Sequence, residues 1–187
     1  MPLLKAEINL WPPLLIEEPA DPESLGNRNW WAIYTLSRQE KMLMRSLLAQ
    51  EIPFYCPLVA HQYRSPGGRR RTSYLPLFSN YVFMRGTDEQ RYLAVTSGCI
   101  SKCLQVLEPA RFIQEMRAVS RLITADRPMT IESTWPAGTP VRVKTGPLEG
   151  YEGIIIQRRG DHRLLVEISM LHRAISVSIE DWDLEEK

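Results

Sequence analysis

The chain has 187 residues, of which 44% are hydrophobic and 24% are charged, and its formal net charge at pH 7 is +1. This length suits one substantial domain or two small ones, and the composition is that of a globular protein. Because 23 basic residues nearly balance 22 acidic ones, no global field would draw the chain to nucleic acid or to a membrane. Any nucleic-acid role must therefore depend on a local patch.

The cysteines and the absence of targeting signals indicate a cytoplasmic protein. Cys56, Cys99 and Cys103 are an odd number with no CxxC spacing, which argues against a disulfide scaffold or a zinc knuckle and favours buried thiols. The first residues lack a signal peptide, and no apolar run approaches the length of a membrane span. We expect no contact with a membrane.

Residues 1–27 form a proline-rich leader, "MPLLKAEINLWPPLLIEEPADPESLGN". Proline at this density prevents a regular helix and removes strand hydrogen-bond donors, so we expect disorder. The alternative is that apolar side chains of the leader dock on a surface; these are Trp11, Leu14, Leu15 and Ile16.

Residues 28–127 show the pattern of an α+β domain with an antiparallel sheet and flanking helices. "WWAIYTL" predicts a buried strand, and "SRQEKMLMRSLLAQE" predicts an amphipathic helix that begins with a capping box of Ser37 and Glu40. "IPFYCPLVAHQYR" is extended, and "SPGGRRRTSY" is a loop or hairpin tip. After a poorly patterned segment come a weak strand at Lys102–Val106 and a second helix at Glu108–Ala125, with Pro109 in its first turn.

The stretch "PLFSNYVFMRG" predicts a turn at Ser79-Asn80 followed by a strand. Tyr81 and Phe83 would lie on one face of this strand and Val82 and Met84 on the other. Because both faces are apolar, the strand is either buried on both sides or keeps an aromatic face for a partner.

Residues 128–137 are the predicted linker, and residues 138–187 are the predicted second domain. Its short strands, separated by glycine-bearing turns, predict a small barrel. "GTPVRVKTGPLEGYEGIIIQ" resembles the KOW motif, a strand–loop–strand unit of five-stranded SH3-like barrels. Gly146, Gly150 and Gly153 would supply the tight turns and close approach that join its strands.

"NWWAIYT", the first helix, "PLFSNYVFMRG" and the second helix together resemble the amino-terminal domain of the NusG family, and with the KOW-like segment the resemblance covers roughly residues 29–186. It implies a transcription elongation factor that modulates pausing, antitermination or termination. It also implies an aromatic patch that binds the clamp helices of the large RNA polymerase subunit. The implied patch residues are Tyr34, Phe78, Tyr81 and Phe83, and we expect at least one of the three strand and turn aromatics to be structural.

The resemblance also implies a second partner, a ribosomal protein or termination factor Rho, that meets a loop of the KOW barrel. Leu171 stands where that loop carries an exposed Phe in the housekeeping factor. The Ser79-Asn80 turn replaces the Pro-Gly of the family pattern. In having Asn at the second position of the turn, it is similar to that of the specialised paralogue RfaH. The β-branched carboxy-terminal segment favours a permanent barrel over fold switching.

A basic loop is the candidate nucleic-acid contact, with arginines at positions 64 and 69–71 that could meet the phosphates of upstream or non-template DNA; these are Arg64, Arg69, Arg70 and Arg71. The alternative is that these arginines lie on a solvent-exposed loop that binds nothing.

Two other classes of function compete with this reading. A KOW-type RNA-binding or ribosome-associated module without polymerase contact would use barrel cations, namely Lys144, Arg158, Arg159, Arg163 and Arg173. A hydrolytic enzyme has no support, because His61, His162 and His172 lack metal spacing and no nucleophile–base set is evident. We expect a monomer that is not an enzyme and that needs no metal or cofactor.

Overall fold

The computed structural model describes residues 7–18, 26–125, 129–132, 138–146, 149–158, 161–178 and 184–186. The chain divides into two compact units, Met1–Pro109 and Ala110–Lys187. This division falls at the start of the second predicted helix, between its residues 109 and 110. The sequence places domain boundaries after residues 27, 127 and 137, and those boundaries stay predictions. Among the described residues, no helix is long and apolar enough to cross a membrane.

The first unit is built on a five-stranded antiparallel sheet with the order β1-β3-β6-β2-β7. Its strands are β1 (Leu10–Trp11), β2 (Asn29–Thr35), β3 (Phe54–Tyr55), β6 (Tyr81–Gly86) and β7 (Ile100–Gln105). A separate two-stranded ladder pairs β4 (Leu58–Arg64) with β5 (Arg70–Pro76). The α+β class and the antiparallel sheet that the sequence predicts are confirmed.

One face of this sheet carries a hydrophobic core shared with helix α1 (Glu40–Ala49). Leu43, Met44 and Leu47 of α1 are buried in the same cluster as Val82 and Met84 of β6. The core therefore uses the side of β6 that points away from Tyr81 and Phe83, since successive strand residues face opposite sides.

The predicted capping box of α1 is wrong. The residue before the helix is Gln39, no side chain caps the helix, and Arg38 has a φ of 60°. The Glu40 side chain is buried and accepts a hydrogen bond from the Asn80 N–H at 2.7 Å instead of folding back on its own helix. The Glu40 carboxylate therefore accepts a tertiary hydrogen bond and is not available for the capping box.

Helix α2 (Asp88–Val95) lies in the segment that the sequence left without a pattern. It begins with a capping box in which the Gln90 N–H donates to Thr87 Oγ1 and the Thr87 N–H donates to Gln90 Oε1. The Thr-x-x-Gln spacing is the signal that could have revealed this helix.

Residues 7–18 of the leader follow the docked alternative. β1 pairs with β3 at the sheet edge, with Leu10 opposite Tyr55 and Trp11 opposite Phe54. Leu15 and Ile16 are buried, whereas Leu14 is exposed. The expectation of disorder does not hold for these residues, because strand pairing and burial of two aliphatic side chains compensate the ordering of the backbone.

The second unit contains helix α3 (Pro109–Thr124) and a six-stranded antiparallel sheet with the order β13-β9-β10-β11-β12-β8. The strands are β8 (Met129–Glu132), β9 (Thr139–Val143), β10 (Glu152–Arg158), β11 (Asp161–Ile168), β12 (Arg173–Ser178) and β13 (Leu184–Glu186). The predicted helix at 108–125 is confirmed. β8 lies inside the predicted linker and is one of the six strands of this sheet. Closure of the segment 138–187 into a five-stranded barrel stays a prediction.

Candidate partner-binding site

The turn before β6 is held by two hydrogen bonds of the Asn80 backbone, one to backbone and one to a side chain. Asn80 has a φ of 68°, a left-handed conformation that Asn tolerates better than most residues. Its carbonyl accepts from the Thr35 N–H at 2.8 Å, and its own N–H donates to Glu40 at 2.7 Å. Asn80 therefore links the end of β2 and the start of α1 to the start of β6. Because Tyr81 is the next residue, these bonds fix the position of its backbone.

Four aromatic side chains form a continuous cluster at this end of the sheet. Tyr34 and Tyr81 are register partners whose rings meet edge to face at 5.1 Å. The Tyr81 ring lies 6.5 Å from Phe83 at 15°, and the Phe78 ring lies 6.1 Å from Phe83 at 74°. These distances are within the range of favourable aromatic pairs.

The four residues differ in exposure. Tyr34 and Tyr81 are half-buried, whereas Phe78 and Phe83 expose 1% and 0% of their surface. We call Tyr34 and Tyr81 the tyrosine pair. Phe83 packs beside Tyr81 on the same strand face and Phe78 packs against Phe83, and the burial of both phenylalanines agrees with the expectation that at least one of these aromatics is structural. Lys102 is the register partner of Tyr34 on β7 and is exposed, which gives the pair a basic edge.

The leader also reaches the sheet face that carries the cluster. Arg85 lies on the same side of β6 as Tyr81 and Phe83, because strand side chains alternate. Its guanidinium is almost fully buried and forms an ion pair with Glu18 of the leader. The end of the described leader therefore lies next to Arg85 on this face.

The candidate nucleic-acid residues lie on the β4–β5 ladder. We call Leu58–Pro76 the arginine hairpin. Arg64 and Arg70 are register partners, Arg71 follows on β5, and Arg69 lies in the connecting loop. All four arginines are exposed. The loop is closed by hydrogen bonds from the Ser65 N–H to the Arg69 carbonyl at 2.9 Å and from the Gly68 N–H to the Ser65 carbonyl at 2.8 Å.

The hairpin carries an aromatic pair that sequence reasoning missed. His61 and Tyr63 lie on one face of β4, and their ring centroids are 6.3 Å apart with an angle of 24° between the planes. The H-x-Y spacing on an extended segment was the available signal, because residues two apart share a strand face.

The candidate partner residue of the second unit, Leu171, ends a short 3-10 helix, Ser169–Leu171, and is half-buried. The next residue, His172, has a φ of 48°. Ser169 anchors this loop to α3, because its N–H and its hydroxyl donate to the two Glu115 oxygens at 3.2 and 2.8 Å.

Glu115 lies among two other carboxylates and the guanidinium of Arg111, which pairs with both Glu115 and Glu167. A cavity of about 530 Å³ is lined by Arg111 and Glu115 of α3, by Glu152 and Glu167 of the sheet and by Tyr151, which precedes β10, among others. Burial raises the pKa of Glu115, against the hydrogen bonds from Ser169 and the ion pair with Arg111. Burial and the nearby carboxylates of Glu115 and Glu167 raise the pKa of Tyr151 to about 12.

Two further observations concern a buried cysteine of the first unit and the residues that could hold a metal. The Cys56 thiol is buried, and its pKa is raised to about 12 by burial and by Glu40, so it is protonated at neutral pH. Within the described ranges, no group of three or more His, Cys, Asp or Glu side chains could hold a metal ion.

Comparison with known proteins assigns the chain to a family. Residues 28–135, more than half of the chain, match the family model described as transcription termination factor NusG. The chain belongs to the NusG family. Proteins of this family are transcription factors that act during elongation, bind RNA polymerase and are not enzymes.

Solved structures give weaker similarities. A structure of Thermotoga maritima NusG that concerns domain interaction is 19% identical, with a TM-score of 0.43 over 82% of this chain and 94% of that chain. A structure of the MjSpt4:Spt5 complex, conformation B, is 15% identical, with a TM-score of 0.29 over 84% and 97% of the two chains. No curated protein sequence matches significantly. The family assignment therefore depends on the family model.

Proposed function

We propose that the protein is an elongation factor whose first unit binds the clamp helices of the large RNA polymerase subunit through the tyrosine pair. The observation that carries this proposal is the partly exposed edge-to-face contact of Tyr34 and Tyr81, which continues through Tyr81 into two buried phenylalanines. Rigid aromatic side chains with a fixed support lose little conformational entropy on binding, and such residues dominate interface energies. A bound factor would hold the clamp closed and suppress pausing.

The arginine hairpin supports a second contact, with upstream or non-template DNA. Four exposed arginines within a 19-residue segment that has no Asp or Glu create a local positive patch on a nearly neutral chain. Contacts of this kind with phosphates position a protein on DNA without reading its sequence.

In the second unit, Leu171 supports recruitment of a further partner, a ribosomal protein or Rho. Its loop is fixed at Ser169, so the half-buried Leu171 side chain is presented in a defined place. The Ser79-Asn80 turn, Leu171 and the leader favour a specialised paralogue similar to RfaH over the housekeeping factor.

The competing RNA-binding role of the second unit is less favoured. Arg163 donates to Ser176 Oγ at 3.1 Å and to the Ser176 carbonyl at 2.8 Å, so much of its hydrogen-bonding capacity is used between strands. The side chains of Arg158 and Arg159 lie outside the described ones. Lys144 is exposed. Two further arginines of this unit, Arg111 and Arg142, are held in ion pairs with Glu115, Glu167 and Glu152.

The test is capture of purified core RNA polymerase by the tagged full-length chain and by its Tyr34→Ala/Tyr81→Ala variant. We expect the variant to bind at least about 30-fold more weakly, because the loss of a single aromatic anchor at an interface already costs about 2 kcal/mol or more. Apparent affinity is measured by titration on immobilised polymerase.

The matched control is Tyr92→Ala, which removes a highly exposed tyrosine from α2 of the same unit. This variant should capture polymerase as the wild type does. Equal capture by wild type and the double variant, with unchanged thermal melts, would reject the tyrosine pair as the contact.

A further inference from the structure

Three side chains lie side by side across the sheet at the tyrosine pair. Tyr81 of β6 is the register partner of Tyr34 of β2, and Tyr34 is the register partner of Lys102 of β7. Register partners point to the same face of a sheet. Because neighbouring strands are about 4.8 Å apart, this row is about 10 Å long. That length is close to the diameter of one α-helix with its side chains, about 10–12 Å.

Lys102 is open to a partner. It lies on β7, which is an edge strand of the five-stranded sheet, and its side chain is exposed. Within the part of the chain that the structure describes, Lys102 forms no ion pair. Its positive charge is therefore available beside the two tyrosines.

The apolar surface of the row continues along the same edge strand. Leu104 follows Lys102 on the same face of β7, because strand side chains alternate. Leu104 exposes 45% of its surface, although its register partner Ala32 is fully buried. A partner that covers the tyrosine pair and reaches β7 thus meets apolar surface with one cation in it.

We propose that Lys102 is a specificity-determining residue of the polymerase contact. It pairs with a carboxylate that flanks the apolar stripe of the helix covering the tyrosine pair. This inference rests on the proposed function and names the chemistry of the partner helix. An amphipathic helix carries charged side chains beside its apolar stripe, and the row is one helix wide, so a single helix can supply both contacts.

Such a pair selects the partner more than it strengthens the complex. Charges at the rim of an interface increase the association rate, fix the orientation of the partner and exclude partners with a like charge at that place. The tyrosine pair would provide most of the affinity, and Lys102 would set the direction in which the helix lies.

Charge reversal at Lys102 in the full-length chain tests the pair, with association and dissociation rates measured on immobilised core RNA polymerase. Lys102→Ala should weaken binding by about 2- to 5-fold, as expected for one exposed ion pair. Lys102→Glu should weaken it by at least about 10-fold at about 0.1 M salt, because a like charge then faces the carboxylate. Lys102→Arg keeps the charge and should bind within about twofold of wild type.

The matched control is Arg28→Glu, the same change of charge at an exposed arginine directly before β2. Arg28 lies about 20 Å along the strand from Tyr34, beyond the screening length of about 10 Å at 0.1 M salt. This variant should change the affinity by less than about twofold, because screening removes most of its effect on the row.

Salt separates the charge from the apolar contact. The deficit of Lys102→Glu should shrink as salt rises to about 0.5 M, whereas the deficit of Tyr34→Ala/Tyr81→Ala should stay. A deficit of Lys102→Glu that is independent of salt and accompanied by a lower thermal melt would mean that Lys102 is structural and would overturn the proposal.

A charge swap identifies the partner carboxylate. Core polymerases are prepared in which the Asp and Glu residues of the clamp helices are replaced by Lys, one in each variant. One of them should bind Lys102→Glu more tightly than wild-type polymerase does, and should bind the wild-type chain more weakly. Rescue by none of them, or an equal loss in Arg28→Glu and Lys102→Glu, would overturn the role of Lys102 while capture through the tyrosine pair still stands. A wild-type chain that captures no polymerase would overturn both proposals.

Discussion

At the scale of single residues, Asn80 shows how one side chain positions a binding surface. The turn needs a left-handed backbone, and both backbone groups of Asn80 are used, one by Thr35 and one by Glu40. The NusG pattern places Gly at this position, which reaches positive φ without steric cost. Asn is the other residue that does so readily, and the turn at Ser79-Asn80 that the sequence predicts is confirmed.

Substitution of Asn80 separates backbone preference from hydrogen bonding. Asn80→Ala should lower the free energy of unfolding by about 1 kcal/mol, because a Cβ without a polar side chain disfavours the left-handed region. Asn80→Gly should stay close to wild type. Both variants keep the N–H and C=O that bond Glu40 and Thr35, so thermal melts report the conformational term. Equal melts for the two variants would contradict this account.

Glu115 gives a pH dependence whose sign follows from its surroundings. Its pKa in the folded chain is raised above the ordinary value of 4.5, mainly by burial. A carboxyl with a raised folded pKa contributes stability that is present below the unfolded pKa and lost as pH rises through the folded pKa. Folding therefore favours the protonated acid.

Removing this ionisation should flatten the pH profile. In Glu115→Gln the amide oxygen can still accept from Ser169, and no charge has to be desolvated. We expect the stability of the variant relative to wild type to increase as pH rises from about 4.5 through the raised pKa of Glu115. Thermal melts across this range measure the difference, and a carboxyl NMR titration gives the pKa directly. A Glu115 pKa below 4.5 would contradict the expectation.

At the scale of elements, the leader behaves as an added edge strand followed by a docked turn. The Cys56 N–H donates to the Asn9 carbonyl at 2.7 Å beyond the paired residues, and the Leu15 N–H donates to the Pro12 carbonyl at 3.0 Å. Proline density argued for disorder. However, proline is compatible with an edge strand and with turns, and two buried aliphatic residues decide the outcome.

Two neighbouring leucines test this docking. Leu15→Ala should cost about 2–5 kcal/mol, because it leaves a cavity at a buried position. Leu14→Ala is the matched control, since Leu14 is 67% exposed and should be nearly neutral. Chemical denaturation of both variants gives the difference. Two neutral substitutions would mean that the leader is not part of the folded unit in solution.

The helix caps show why local motifs are an incomplete guide to elements. Ser37 and Glu40 have the capping-box spacing, yet Glu40 bonds to Asn80 across the fold. Thr87 and Gln90 have the equivalent spacing and do form the box. The two residue patterns are similar. The box forms at Thr87 because Gln90 bonds to its own helix start, and it does not form at Ser37 because Glu40 bonds to Asn80.

At the scale of the whole molecule, the charge that the proposed DNA contact needs is confined to one segment. The net charge of the chain is only +1, but the arginine hairpin contains four arginines. A nearly neutral composition allows a nucleic-acid role only through such a local patch. The proposed polymerase and DNA contacts belong to the first unit, and the proposed contact through Leu171 belongs to the second. Variants of the tyrosine pair and of Leu171 therefore affect different units.

The sequence by itself determined the α+β class, the second long helix, the turn at Asn80 and membership of the NusG family. These follow from local patterns: hydrophobic period, a proline in a first turn, a residue tolerant of positive φ and a family-specific order of motifs. Tertiary structure alone decided that Tyr34 and Tyr81 reach the surface while Phe78 and Phe83 do not, and that Leu15 is buried but Leu14 is not. Burial depends on what packs over a side chain from elsewhere in the chain, and a strand pattern contains no information about that cover.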